Sequence, residues 1–509
     1  ISGGRFSATF SVLGAVALKL PVSSVYRKTL HVRIRMSFRN PTEGRHKLPN
    51  RDYIISTLNL EADDIDCFNI VRKDTTFYSY ITLKDLRPTC PLCGAASRIK
   101  GYSDFTFQTM PVNSFEHYII WHRRRYLCKD PNCHYSFREE NHFTPGPLHC
   151  SYSLLNQVAR DIANLHFTYK DIAEKNNVSI GSVELYSDSF LNVPRLTLPE
   201  NIGIDELHSD MAKYGSSYLC VMVDNTERDL FEVLPSRSKH ELIKYFDKIS
   251  IKEKNQVRFI TMDLWDPYRD VAKRCLPNAK ICADGFHVVE QLTQRFTRLR
   301  VDIMNQFEHG TSNYYLLKTW HWLLETDKYN LDNEPRYNGF YRTKMNYRDI
   351  YELLLKVSPE LTEAYELKEL YRGFNKDAIE ENCSKLFDDI FDAFVSSDLP
   401  CYRSFIGLLQ NWHQEILNSF QRPYDNRKES NALTENINGK LREYITVSNG
   451  LSNFDRFRIR VLYALNKHLT YTITDNLRSN KRKGRKRGKY HRSTIDRKID
   501  GGNNCNPNE

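Results

Sequence analysis

The stretch RFITMDLWDPYRDVAKRCLPNAKICADGFH, residues 258–287, decides how the chain is read. An apolar run, RFITM, ends in Asp263, and a second, AKICA, ends in Asp284. Short unbroken apolar runs of this kind predict strands buried on both faces. The segment between them predicts a helix capped by Asp266 with Pro267 at its first position, where a missing N–H does no harm. A carboxylate then stands at the tip of each of two buried strands.

Upstream, IGID (202–205) is another short apolar run, ending in Asp205. SYLCVMVDNTE (217–227) and DLFEVLPSR (229–237) alternate around a polar turn, so these three runs predict a meander. HELIKYFDKIS (240–250) has helical spacing at Leu242, Ile243, Phe246 and Ile249. Three strands, helix, strand, helix, strand is the layout of an α/β RNase H-like core, in which the first and fourth strands are neighbours. Asp205 and Asp263 would then meet at one sheet edge. Carboxylates a few ångströms apart repel unless a divalent cation lies between them. Two such cations about 3.5–4 Å apart can clamp the attacking and leaving oxygens of a phosphodiester. A third acidic ligand is needed, from a late helix.

ESNALTENINGKLREYI (429–445) offers Glu435, on one face with Asn431 and Asn438, with Arg442 a turn further on. Alone, a helical glutamate reads as a solvated residue. Beside two strand-end aspartates it reads as the third ligand, with the amides and Arg442 as candidates to touch metal-bound water or the backbone of a nucleic acid. In DGFH, His287 either donates to the scissile phosphate or holds a carboxylate in place, and Asp284 supports it. A rival assignment makes Asp284 the second metal ligand; strand order favours Asp263.

CPLC (Cys90, Cys93) and CKDPNC (Cys128, Cys133) flank the strand-like runs FTFQTM and HYIIWHRRRYL. Two tight turns, each with two thiolates, can complete a tetrahedral four-sulfur site for a structural Zn²⁺, a zinc ribbon; the bland alternative is four ordinary buried thiols. Arg123, Arg124 and Arg125 precede the second knuckle and suit phosphate contacts, or else form a solvated strand edge. HFTYKDIAEKNNVSIGSVELYSDSF (166–190) has helix-turn-helix grammar: Thr168 and Asp171 as a capping box, Asn176-Asn177 as the turn, and Ser179 or Ser182 as the next cap. Glu184 and Asp188 suit DNA phosphates poorly, so this helix reads as a scaffold as readily as a reader of bases. Strands are also expected at 52–58 and 76–83.

The 509 residues are 40% apolar, enough for several domains, and no stretch approaches the roughly 20 apolar residues of a membrane span. The net charge of +10 is concentrated at the ends: residues 1–35 hold six Lys/Arg and no acid, and 478–492 hold nine and no acid. The body is slightly acidic, so attraction to nucleic acid must come from local patches and the tail. Of the twelve cysteines, those outside the knuckles are scattered, with Cys220, Cys275 and Cys282 in apolar runs, which fits reduced thiols in cytoplasm. The first Met is Met36, and ATFSVLGAVAL (8–18) faintly resembles a signal peptide; the preferred reading is a non-native or unstructured leader.

CPLCG with RRRYLC, GIDEL, TMDLWDPYRDVAKRCLPNAKICADGFHVVEQ, LKTWHWLL, and SNALTENINGKLREY with SNFDRFRIRVL carry a resemblance over about residues 90–465. The chain resembles bacterial insertion-sequence transposases of the ISL-three family, which use an Asp-Asp-Glu mechanism. The resemblance implies Asp205, Asp263 and Glu435 as ligands of Mg²⁺ or Mn²⁺, Asp284 and His287 as a supporting pair, and a helical insertion within the 172 positions separating Asp263 from Glu435. It implies cleavage of element ends and their joining to target DNA. The expected partners are double-stranded DNA, at terminal repeats and target, and further copies of the chain in the DNA complex; no membrane is expected. The expected location is cytoplasmic, at the nucleoid. Residues 1–35 and the very basic tail have no counterpart. The expected organisation is a leader (1–35), an N-terminal region (36–89), zinc ribbon (90–147), helix-turn-helix-like region (148–195), first part of the core (200–295), helical insertion (296–425), last core helices with Glu435 (426–470) and basic disordered tail (476–509). Competing readings are a zinc-ribbon DNA-binding regulator with an inactive core, and a nuclease that cuts structured DNA or RNA without joining.

Overall fold

The computed structural model describes residues 51–469, apart from 146–147, 192, 327–329, 424–426 and 449–450. The leader and basic tail expected from the sequence lie outside the described residues.

The first block is a five-stranded sheet. Helix α1 (Arg51–Thr57) precedes it, where a strand is expected at 52–58. Ile54, Ile55 and Leu58 are buried together, a spacing that fits a helical turn and not alternation. Strands β1 (Ile65–Lys73) and β2 (Thr76–Leu83) form one hairpin, and β3 (Ser97–Gln108) and β4 (Glu116–Cys128) a longer one. β2 runs parallel beside β4, and β5 (Ser136–Arg138) pairs with the far end of β4. One face of the sheet closes over Ile54, Leu58, Ile81, Phe107, Ile119, Trp121 and Phe143.

Three helices follow, α2 (Tyr152–Ala163), α3 (Tyr169–Asn176) and α4 (Ile180–Phe190). The Thr168–Asp171 capping box forms as read. Asn177 makes the turn with a positive φ of 50°, which asparagine tolerates, and Ser179 is the cap of α4.

The central sheet comprises β6 (Asn201–His208), β7 (Tyr218–Asp224), β8 (Asp229–Leu234), β9 (Phe259–Met262) and β10 (Lys280–Ala283), in the order β10-β9-β6-β7-β8. The first three form the antiparallel meander, and β9 runs parallel to both β6 and β10. Strand counting thus places β6 and β9 correctly. Asp205, however, is not at a strand tip: β6 continues to His208, because Leu207 is itself buried and pairs with Leu219. Helices α5 (Lys239–Phe246), α6 (Ile251–Lys254) and α7 (Asp266–Cys275) connect the strands, and Leu242, Phe246, Tyr268, Val271 and Cys275 cover one sheet face. The cap of α7 is Trp265, without a side-chain bond. Asp266 is already helical, and its carboxylate accepts from Arg269 at 2.7 Å instead.

Residues 285–418 are mostly helical: α8 (Gly285–Met304), α9 (Ser312–Thr319), α10 (Tyr347–Leu355), α11 (Pro359–Asp377), α12 (Cys383–Ser397), α13 (Arg403–Asn411) and α14 (His413–Asn418), with a small hairpin of β11 (Arg336–Asn338) and β12 (Thr343–Met345). The expected boundary at 295/296 falls inside α8. Val288, Leu292, Phe296, Leu299 and Ile303 keep one apolar stripe along that whole helix, so nothing breaks it. The segment returns through α14, where Asn418 donates to the Ile281 carbonyl at 2.9 Å and covers the open edge of β10. Helices α15 (Ala432–Val447) and α16 (Phe454–Leu465) then cover the second sheet face with Ile437, Leu441, Tyr444, Phe457 and Val461. No helix among the described residues is long and apolar enough to cross a membrane.

Candidate functional site

β6 and β9 are hydrogen-bonded neighbours, so Asp205 in β6 and Asp263 just past β9 face each other across one rung. Ligand oxygens of Asp205, Glu206 and Asp263 lie within 4.8 Å of one another, and two carboxylate oxygens of Asp263 and Asp284 form a second such group with a ring nitrogen of His287. Asp263 belongs to both. The His287 Nε2–Asp263 Oδ1 distance is 2.9 Å, and Nε2 is 3.9 Å from Asp284. In the structure His287 is thus paired with a carboxylate. Asp284 caps α8 and is almost fully buried.

Glu435 stands at the rim on α15, its Oε1 3.8 Å from His287 Nε2 and its side chain 44% exposed. It is outside both close groups yet within a side chain's swing of them. Asn431 and Asn438, read from sequence as nucleic-acid contacts, are fully buried, which corrects that expectation. The Nδ2 of Asn438 donates to Asp205 Oδ2 at 2.7 Å. That of Asn431 donates to Asp263 Oδ1 at 3.1 Å and to the Ile204 carbonyl at 2.9 Å. They aim carboxylates and cannot reach a duplex. Arg442 is exposed on the same helix.

Two features seat α15. A Cβ on Gly203 would lie 2.5 Å from Thr434 Oγ1 and 2.7 Å from Val223 Cγ2, so only glycine lets the helix approach β6 this closely. Glu429, buried just before α15, accepts from Asn201 at 2.8 Å and from Thr261 at 3.3 Å. Sequence reasoning missed Glu429 and Glu206. Glu206 had a signal, its place directly after Asp205; Glu429 had none, because its partners are distant in the chain. Arg237, stacked on Tyr218 and Trp265, holds Glu206 in an ion pair.

Burial and the charge of Asp263 push the Asp205 carboxyl up to about 7. Burial also raises Glu206 and Asp284, which Arg237 and His287 respectively counter. Burial opposes a charged His287, but the bond and charge of Asp263 outweigh it and raise His287 to about 9. This crowding of carboxyls is what a divalent cation relieves, and Asn438 Oδ1 is buried without a protein partner among the described residues. The donor set fits hard, oxygen-preferring dications.

At the other site, Cys90, Cys93, Cys128 and Cys133 bring four sulfurs within 4.8 Å. Burial raises the Cys90 thiol, yet the backbone N–H groups of Cys93 and Leu92 outweigh it and bring it down to about 7. The amide of Asp130 points at Cys128 Sγ from 3.4 Å. Burial and the neighbouring sulfurs nevertheless push the Cys128 thiol up to about 12 and the sulfurs raise Cys133, a crowding that a tetrahedral metal held by all four would relieve. Strand alternation divides the three arginines. Arg125 is exposed, Arg123 lies against Phe105 and Trp121, and Arg124 is buried in an ion pair with Glu139 at 2.8 Å. Arg124 is therefore not a phosphate contact.

The acidic residues of α4 are also engaged. Arg456 of α16 pairs with Glu184 at 3.0 Å and Asp188 at 2.9 Å. Arg458 pairs with buried Glu232 of β8, and Arg460 donates to the carbonyls of Ile162, Asn164 and Phe167. One helix thereby joins the three-helix block to the sheet.

Two regions of the chain match known protein families. Residues 86–133 match a family described as the zinc-finger of transposases IS204/IS1001/IS1096/IS1165. The transposase for insertion sequence element IS1001 of Bordetella parapertussis is 27% identical over 121 residues, 24% of this chain and 30% of that protein. The transposase for IS1557 of Mycobacterium tuberculosis is 30% identical over 118 residues, 23% of this chain and 26% of that protein. The chain thus spans less than a third of the length of these relatives. The family model of ISL3-type DDE transposases, described as transposase, matches residues 202–461, just over half of the sequence, and the chain belongs to that family.

Proposed function

We propose that the protein is a DNA transposase that cleaves the ends of an insertion sequence and joins them to target DNA, with Asp205, Asp263 and Glu435 as its metal-holding residues. The observation that carries the reading is the convergence of Asp205 and Asp263 at adjacent strands, with Glu435, on a helix more than 160 positions later, reaching to 3.8 Å from the His287 that bonds Asp263. The strand order supports an RNase H-like core, and α2–α4 support a helix-turn-helix-like module held as a scaffold. Bound at the carboxylates, Mg²⁺ or Mn²⁺ would supply Lewis acidity to the attacking and leaving oxygens of a phosphodiester. Asn438 and Asn431 hold Asp205 and Asp263 in register, and His287 fixes Asp263 from the other side. Glu435, on the exposed rim, completes the set as DNA arrives. No side-chain nucleophile is required, because water and then a DNA 3′-hydroxyl attack phosphorus. Cys90, Cys93, Cys128 and Cys133 would hold a structural Zn²⁺, and Arg125, Arg123 and Arg442 are the remaining candidates for contact with double-stranded DNA. A homo-oligomer would hold two ends together, in the cytoplasm at the nucleoid.

Purified protein with Mg²⁺ or Mn²⁺ and DNA from the flanks of its own gene should nick and join strands. Glu435→Gln should lower cleavage by at least about a thousandfold while leaving DNA affinity within roughly threefold. A DNA-binding regulator would bind with no cleavage to lose, and a nuclease would cut without joining; either result sinks the proposal.

A further inference from the structure

Phe286 is 61% exposed although it lies between Asp284 and His287, on the first turn of α8. Metal chemistry gives a phenyl ring no task there. Beside it is a cavity of about 300 Å³ lined by Asp284, Phe286, Val289, Asn375, Lys428 and Glu435, the small end of ligand-sized clefts. Because Asp284 and Glu435 line both this cavity and the carboxylate centre, the cavity opens next to where a phosphodiester would be held. Part of its lining is polar and closely fitted. A Cβ on Gly285 would stand 2.5 Å from Asn375 Oδ1 and 3.2 Å from Lys428 Nζ. Lys428 Nζ donates to Asn375 Oδ1 at 2.6 Å and to its carbonyl at 3.2 Å. That engages two of three donors, and Nζ also lies 3.8 Å from the centre of the Phe420 ring, so a guest in the cavity would compete with that weaker contact for the third.

A flat apolar face and hydrogen-bonding groups lining one cavity suit a planar heteroaromatic with acceptors on its edge. Of the components of DNA, only a nucleobase has both, and any base offers a π-face. We infer that Phe286 is a stacking platform for the base next to the scissile phosphate, which leaves the duplex and enters this cavity with its edge toward Lys428 and Asn375. Phe286 is then a positioning residue that holds the strand over the carboxylates. The inference rests on the DNA-cleaving reading above.

The test uses the full chain and two readouts. In Ca²⁺, to hold DNA without cutting it, 2-aminopurine is placed beside a nick in a duplex from the gene's flanks. Its emission should rise on binding as it unstacks, and Phe286→Ala should reduce that rise at least about twofold. In Mg²⁺, Phe286→Ala should slow cleavage roughly tenfold or more on intact DNA, Phe286→Trp should restore it, and an abasic nucleotide at that position should erase the difference between wild type and Phe286→Ala. Equal rates for Phe286→Ala and wild type, or a defect unchanged on abasic DNA, overturn the inference while leaving cleavage standing. If wild type cuts nothing, the functional reading fails, and the emission arm still decides: a rise dependent on Phe286 supports the platform, and its absence overturns it.

Discussion

At the scale of single residues, polar side chains in this protein act by placing other side chains. Asn438 and Asn431 are the clearest cases: their amides lie wholly inside the molecule and bond to the aspartates. From sequence their position on the face of Glu435 was legible, but their direction was not, because burial of that face depends on strands more than 160 residues away. The arginine triplet teaches the same lesson, since alternation along β4 puts Arg124 on the side opposite Arg123 and Arg125. His117 shows how burial also sets a pH response. It is buried in the first sheet, 2.9 Å from the Ser79 hydroxyl, and burial, partly offset by a bond with the Met110 backbone, brings its pKa down to about 4. Between the usual value near 6.5 and this one, the unfolded chain binds a proton that the folded chain does not. Stability is therefore full above about pH 6.5 and lost as pH falls toward 4. In urea unfolding, the stability of wild type relative to His117→Gln should fall by roughly 2 kcal/mol between pH 7 and pH 5, a difference in which the opposite contribution of the raised Asp205 carboxyl cancels.

At the scale of elements, the central sheet was the most legible part of the chain, because short apolar runs and one alternating hairpin have few ways to pair. The helices were legible where caps are local, as at Thr168 and Ser179, and misread where tertiary packing decides, as at 52–58 and Trp265. The seat of α15 on β6 was not legible at all. Gly203 within a strand could mark a bulge or a close approach, and only the helix lying on it tells which. Gly203→Ala should force α15 outward, lower stability by about 1–3 kcal/mol and reduce cleavage more than DNA binding. Denaturant unfolding and the nicking assay would check this; an alanine variant with unchanged activity would mean that the helix tolerates the displacement. The three arginines of α16 are a second case. Each is engaged within the molecule, to α4, to β8 and to the end of α2 with the loop after it, which the sequence around them does not show.

At the scale of the whole molecule, the blocks have separate sources of stability. The four-cysteine cluster has its own sheet and its own small apolar core, whereas the central sheet is covered on both faces by helices. Removing the metal should therefore be a local injury. The purified protein should contain about one zinc per chain by elemental analysis, and Cys90→Ser should lose it. Hydrogen exchange should then rise across residues 90–138 while the amides of β6, β7 and β9 stay protected; global unfolding would show that the blocks are not independent.

The placement of Glu435 carries a consequence for a chain still on the ribosome. Its two partners emerge 172 residues or more before it, about ten to thirty seconds earlier at ordinary elongation rates. During that interval the nascent protein has the sheet but not Glu435, and on the proposed reading it would be inert toward nearby DNA. A polypeptide released prematurely anywhere upstream of α15 would retain the cysteine block and α2–α4 without the means to cut. On the transposase reading proposed above, such fragments would compete with intact copies for the same DNA, and incomplete translation would by itself damp transposition.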